Sequence, residues 1–159
     1  LAVDLPARIT RANTARALAV SHTTLGSLER SAGNLATARA HYERVQALRE
    51  DLHAHIASTD TARDLTVNHE RLGDLEYSAG NPAAARWHYE QSLAFTEDLH
   101  ARTASADTAR DLCVSLFKLW RLCSEQNEGK AENYYQYHGN CQIDHLPSDP
   151  FFRNPGFVQ

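Results

Sequence analysis

Apolar residues recur along most of this chain at helical intervals. Leu18, Val20, Leu25 and Leu28 are spaced for an α-helix, and Leu65, Val67, Leu72 and Leu75 repeat the spacing further on. A second kind of segment carries Ala38, Tyr42, Val45, Leu48 and Leu52, and again Ala85, Tyr89, Leu93 and Leu99. Gly33 and Gly80 fall between the two kinds, where a chain leaving a helix needs a left-handed residue. Asn13, Asp60 and Asp107 are N-cap candidates for the first kind, and Asn34 and Asn81 for the second, with Pro82 suited to a first helical position. The pattern predicts helices near 14–32, 35–58, 61–79, 82–105, 108–125 and 129–138. The second helix of each full pair, at about 24 residues, would be roughly 36 Å long.

The pairs are copies of one another. Thr14-Ala15-Arg16 returns as Thr61-Ala62-Arg63 and as Thr108-Ala109-Arg110, each 47 residues after the last. Residues 14–60 laid on 61–107 without a gap agree at about 29 positions, the signature of stacked units. Leu1, Asp4, Leu5, Ala7 and Ile9 keep the register of Leu48, Asp51, Leu52, Ala54 and Ile56, so 1–13 read as the end of a preceding unit. Pro6 replaces the position of His53 and is expected to break or restart a helix there. The third unit, 108–138, degrades: Leu119-Trp120 stands where the earlier units have Leu-Gly. Residues 139–159, with Pro147, Pro150, Pro155 and Gly156, are expected to form an irregular tail or cap, its Phe151, Phe152 and Phe157 folding back on the last unit or entering a groove.

Leu25-Gly26, Gly33, Ala38 and Tyr42, repeated as Leu72-Gly73, Gly80, Ala85 and Tyr89, resemble the tetratricopeptide repeat. The resemblance covers 14–107 well and 108–138 in part, with a longer period than the family's usual value of about 34 residues, as in long-helix bacterial versions. It implies an all-α fold, a solenoid of antiparallel helix pairs wound into an α-α superhelix. It also implies that the first helices line a concave, partner-binding side. Carried over position by position, the inward set is Thr23, Ser27 and Arg30, then Glu70, Asp74 and Tyr77, then Phe117, Arg121 and Ser124. These positions differ between units that are otherwise near copies, as a binding face would; surface drift is the plain alternative. The family's carboxylate clamp for heat-shock chaperones has lysine and asparagine where this chain has Thr23 and Ser27, so that ligand class is disfavoured.

Composition narrows the field. Apolar residues at 42% and charged residues at 23% suit a folded core. A net charge of −4 with interspersed signs argues against a nucleic-acid surface. No segment reaches the length of a membrane span, and Leu1–Thr10 does not read as a signal peptide. Cys113, Cys123 and Cys141 lack metal spacing and point to reduced, buried thiols in a cytoplasmic setting. The absence of methionine suggests a mature product or a piece of something longer.

Candidate chemistry is thin. Arg16, Arg63 and Arg110 form a ladder that could meet acidic groups, though pairing with carboxylates such as Asp64 or Asp111 accounts for it. His22/His69, His41/His88 and His53/His100 recur once per unit; shared descent explains the spacing without a metal. No nucleophile motif, glycine-rich phosphate loop or HExxH is present. The expectation is a non-catalytic module without cofactor or metal that holds a protein or peptide. The alternative is a structural or regulatory segment that packs on its own polypeptide or forms a homo-oligomer through open repeat ends.

Overall fold

The computed structural model describes residues 5–126. Among them are five α-helices and no strand: α1 Leu5–Ser31, α2 Leu35–His55, α3 Thr59–Ser78, α4 Pro82–Thr103 and α5 Ala106–Glu125. The all-α class expected from the periodicity is therefore what the chain adopts. The chain divides into two compact units, Leu1–Phe95 and Thr96–Gln159. The helix expected over 129–138, the aromatic tail and Cys141 lie outside the described residues.

The turns follow the glycines. At the end of α1, Gly33 takes φ +83°, Asn34 N–H donates to Glu29 O at 2.8 Å and Gly33 N–H to Arg30 O at 3.0 Å. Gly80 repeats this at the end of α3 with φ +77°, through Asn81 N–H to Glu76 O and Gly80 N–H to Tyr77 O. These paired bonds recover carbonyls that a helix end leaves unsatisfied, and the left-handed residue that closes them is cheapest as glycine. Asn34 does sit at the start of α2, but its side chain makes no capping bond; it turns back to donate to Glu29 Oε2 at 2.7 Å.

The helix starts differ from those expected. Ser58 and Ser105 cap α3 and α5, not Asp60 and Asp107, which lie inside the first turns. Each serine Oγ accepts from the N–H of Thr61 or Thr108 at 3.2 Å, and each threonine Oγ1 accepts the serine N–H at 3.0 Å. His53 and His100 close the same cluster, their Nδ1 atoms 2.8 and 3.0 Å from Thr61 and Thr108 Oγ1. Two orphan donors per helix are satisfied in this way.

The corresponding start at Thr14 does not exist. α1 runs unbroken for 27 residues from Leu5, with Asn13 inside it. The 47-residue register gives the reason. The serine cap falls on Arg11 and the supporting histidine on Pro6, so no capping cluster can form. Pro6 sits in the first turn of α1, where its missing N–H has no helical acceptor to lose, and it begins the helix instead of breaking it. The second helices are also shorter than expected, at 21 and 22 residues, because the serine caps follow closely. Ala104 absorbs one of these exits at φ +41°, an unfavourable value for a residue with a Cβ.

Packing within Leu1–Phe95 explains the small residues. α1 buries Ala12, Ala19 and Gly26, seven residues apart, and α2 packs on it. A Cβ on Gly26 would stand 2.7 Å from Tyr42 Cε1, and one on Gly73 would stand 2.6 Å from Tyr89 Cδ1. The Leu-Gly positions are thus sockets for the two buried tyrosines. α2 in turn packs on α3 through Ala38, Tyr42, Leu72 and Leu75, with Leu35 at the edge. In the second unit, Cys113 and Cys123 are buried, and Phe117 lies against Trp120 with ring centroids 5.6 Å apart.

Candidate functional site

The nine residues expected to contact a partner fall on three helices. Thr23, Ser27 and Arg30 are on α1 and Glu70, Asp74 and Tyr77 on α3, all within one compact unit; Phe117, Arg121 and Ser124 are on α5 in the other. Ser27, Arg30 and Ser124 are exposed and the remaining six half-buried. Three of the set are tied to the core. Tyr89 Oη donates to Asp74 Oδ1 at 2.8 Å, and at the matching place Ser27 Oγ lies 3.1 Å from Tyr42 Oη. Asp74 and Ser27 differ in charge yet both satisfy the hydroxyl of a tyrosine whose ring is buried. Glu70 accepts from Ser92 Oγ at 3.4 Å. Thr23 Oγ1 is buried and finds no partner among the described residues.

A polar network joins α2 and α3. Arg39 donates through Nε to Glu76 Oε1 at 2.5 Å and through Nη2 to Oε2 at 2.9 Å, a bidentate fork. Asn81 Nδ2 adds a third donor to Glu76 Oε2 at 2.8 Å. Burial alone would raise the Glu76 carboxyl, but the Arg39 and Asn81 donors outweigh it and hold it below the ordinary carboxylate range. The hydrogen bond to Glu76 raises Arg39 in turn. Nearby, Arg49 is buried, donates to Asp64 O at 2.6 Å and pairs with the Asp64 carboxylate at 3.8 Å. Asp64 is therefore engaged from α2. In the arginine ladder, Arg110 pairs with Asp107 and Arg16 reaches Asn13.

The histidine ladders meet inside each hairpin. His22 and His41 Nδ1 atoms are 3.0 Å apart, and those of His69 and His88 3.2 Å apart, so in each pair one ring must donate while the other accepts. His69 Nε2 lies 3.0 Å from Gln46 Nε2, and its ring stacks on Phe95. Burial, and then the charge that His88 would carry, push His69 down to about 4, against a weaker upward pull from Glu50. His88 is also lowered, chiefly by burial. Among the described residues no three His, Cys, Asp or Glu side chains converge as a metal site would require.

Periodicity singles out the recurring histidines, but neither their pairing within a hairpin nor the Arg39–Glu76 fork. Both could be found in the register, since Glu29/Glu76, Asn34/Asn81, Arg39/Arg86, His22/His69 and His41/His88 are identical pairs. Shallow grooves also open where the start of α1 meets the end of α2, the larger of about 210 Å³ and lined by Leu5, Arg8, Ile9 and Arg16 among others. No helix among the described residues is long and apolar enough to cross a membrane. Compared with protein-family models, with curated proteins and with solved structures, the chain matches none.

Proposed function

We propose that this chain is a non-catalytic helical-repeat module of tetratricopeptide type that holds a protein or peptide against its first helices, in a cytoplasmic setting. The observation that carries the proposal is a division of labour between two near-identical units. The buried frame is kept: Gly26 and Gly73 receive Tyr42 and Tyr89, and Gly33 and Gly80 close the turns in the same way. Against that frame, Thr23, Ser27 and Arg30 become Glu70, Asp74 and Tyr77. Three members also serve the interior: Ser27 and Asp74 meet the tyrosine hydroxyls, and Glu70 accepts from the buried Ser92. Arg30, Glu70 and Tyr77 would offer a ligand both signs of charge and one aromatic ring, and Arg30 is the exposed one of the three.

The test is a panel of immobilised peptides of graded charge and aromatic content, probed with the full chain. Arg30→Glu, at an exposed position, is expected to abolish or re-order the preferences while helicity and melting are kept. An unchanged pattern would remove the face from consideration. Asp74→Ala is unsuited to this purpose because it also withdraws the acceptor of Tyr89.

A further inference from the structure

The two copies of the first helix meet different fates. Leu65, Leu72 and Leu75 on α3 are 2%, 2% and 0% exposed, and α2 covers the last two through Ala38 and Tyr42. Their counterparts on α1, Leu18, Leu25 and Leu28, are 44%, 43% and 62% exposed. Three leucines on one side of a helix form an apolar surface whose burial is favourable. The polar partner of the covered face is duplicated as well. Glu29 stands at the position of Glu76 and already receives Asn34 Nδ2 at 2.7 Å, as Glu76 receives Asn81 at 2.8 Å. What Glu29 lacks among the described residues is the arginine fork that Arg39 gives Glu76.

The α2–α3 contact is therefore an internal template for whatever covers α1. On α2 the covering groups are Leu35, Ala38, Arg39 and Tyr42, a leucine, an alanine three residues on, an arginine next and a tyrosine three further. We propose that the α1 face of Leu18, Leu25, Leu28 and Glu29 is the docking surface for a helix of another polypeptide carrying this Leu-x-x-Ala-Arg-x-x-Tyr pattern. Its apolar residues cover the leucines and its arginine forks onto the Glu29 carboxylate. A second copy of this chain cannot lend its own α2 for the purpose, because α3 already occupies that helix. The surface is distinct from Thr23, Ser27 and Arg30, which lie on another side of α1 at about 100° per residue. Failure of either proposal leaves the other standing.

The probe is a fluorescent peptide of residues 33–56, stapled as a helix between the exposed positions 40 and 44, titrated against the full chain by anisotropy. Saturable binding is expected, and Leu25→Glu or Leu28→Glu should weaken it at least about tenfold, since burying an unpaired charge is costly. Both leucines are exposed, so circular dichroism should be unchanged. Glu29→Gln should weaken the native peptide about tenfold yet leave a peptide with Arg39→Gln nearly unaffected. No binding, binding indifferent to Leu25→Glu and Leu28→Glu, or equal effects of Glu29→Gln on both peptides would overturn the proposal. So would a mass in light scattering that grows with concentration and reverts on Leu25→Glu, which would give the face to a second copy.

Discussion

The hydroxyl of Tyr89 donates to the carboxylate of Asp74 at 2.8 Å, from a residue that is otherwise completely buried. The bond gives the tyrosine a polar outlet at the end of its socket. Asp74→Ala is expected to cost about 1–2 kcal/mol in urea unfolding, the usual penalty for stranding a buried hydroxyl. Tyr89→Phe in the same chain should recover part of that loss, so that the double variant costs less than the two single changes added. Additive costs would show that the bond contributes nothing to stability.

Gly26 and Gly73 decide how closely the helices can approach. Alanine is the better helix former by about 1 kcal/mol, and at a solvent-facing site Gly→Ala would stabilise. Here the added methyl would enter the ring of Tyr42 or Tyr89, and both rings are buried with little room to retreat. Overpacking of this kind typically costs about 1–3 kcal/mol, so the net effect of Gly26→Ala or Gly73→Ala should be destabilising. Combining Gly26→Ala with Tyr42→Leu should be less harmful than the sum of the two changes. A rise in melting temperature for either glycine variant alone would contradict the socket geometry.

Arg39 and Glu76 share a pair in which the carboxylate side chain is 8% and the guanidinium 34% exposed. Arg39→Met leaves the apolar stem but strands a buried carboxylate with only Asn81 to satisfy it. Deleting one partner of a fully buried pair costs about 3–5 kcal/mol, and the partial exposure of Arg39 reduces the expectation to roughly 2 kcal/mol at neutral pH. Glu76 has a lowered pKa, so its contribution is present above the ordinary carboxylate range and is lost as pH falls through the folded value. The penalty of Arg39→Met, measured by urea unfolding at pH 7 and pH 4, should shrink on acidification. A constant penalty would mean that the arginine acts through packing alone.

How far these features were legible in the sequence depends on the length scale. Helix type and the Gly33 and Gly80 turns follow from spacing and from residues whose conformational demands are local. The starts of α3 and α5 were misjudged because Asp60 and Asp107 adjoin the repeated triplet and resemble caps, whereas Ser58 and Ser105 two residues earlier have a threonine at the right distance to reciprocate. The unbroken α1 was readable in principle from Pro6 and Arg11 standing where His53 and Ser58 stand one unit later. Position-by-position variation was a poorer guide to the candidate site. Ser27 and Asp74 differ chemically yet meet the same internal requirement, and only the placement of the tyrosine hydroxyls reveals it. Spacing alone does not distinguish the exposed Leu18, Leu25 and Leu28 from the buried Leu65, Leu72 and Leu75, whereas an open repeat end leads one to expect apolar surface on the first unit.

His69 supplies a pH dependence of definite sign. Its folded pKa is pushed down to about 4 from the ordinary 6.5, by burial first and by His88 second. Between these values the unfolded chain takes up a proton that the folded chain refuses, so acid favours unfolding there. Stability should be level above about pH 6.5, decline as pH falls toward 4 and receive no further loss from this group below that. His88, also lowered by burial, acts in the same direction, while Glu50 opposes the shift at His69. A displacement of this size corresponds to about 3 kcal/mol if the ring were wholly shielded, and water access brings the expected loss to roughly 1–2 kcal/mol. His69→Asn removes the titrating group but keeps a polar side chain near Gln46, and should flatten the decline between pH 6.5 and 4.5 relative to the native chain. Urea unfolding at half-unit pH steps resolves the difference. Parallel profiles for the two chains would show that His69 takes up its proton in the folded state as readily as in the unfolded one.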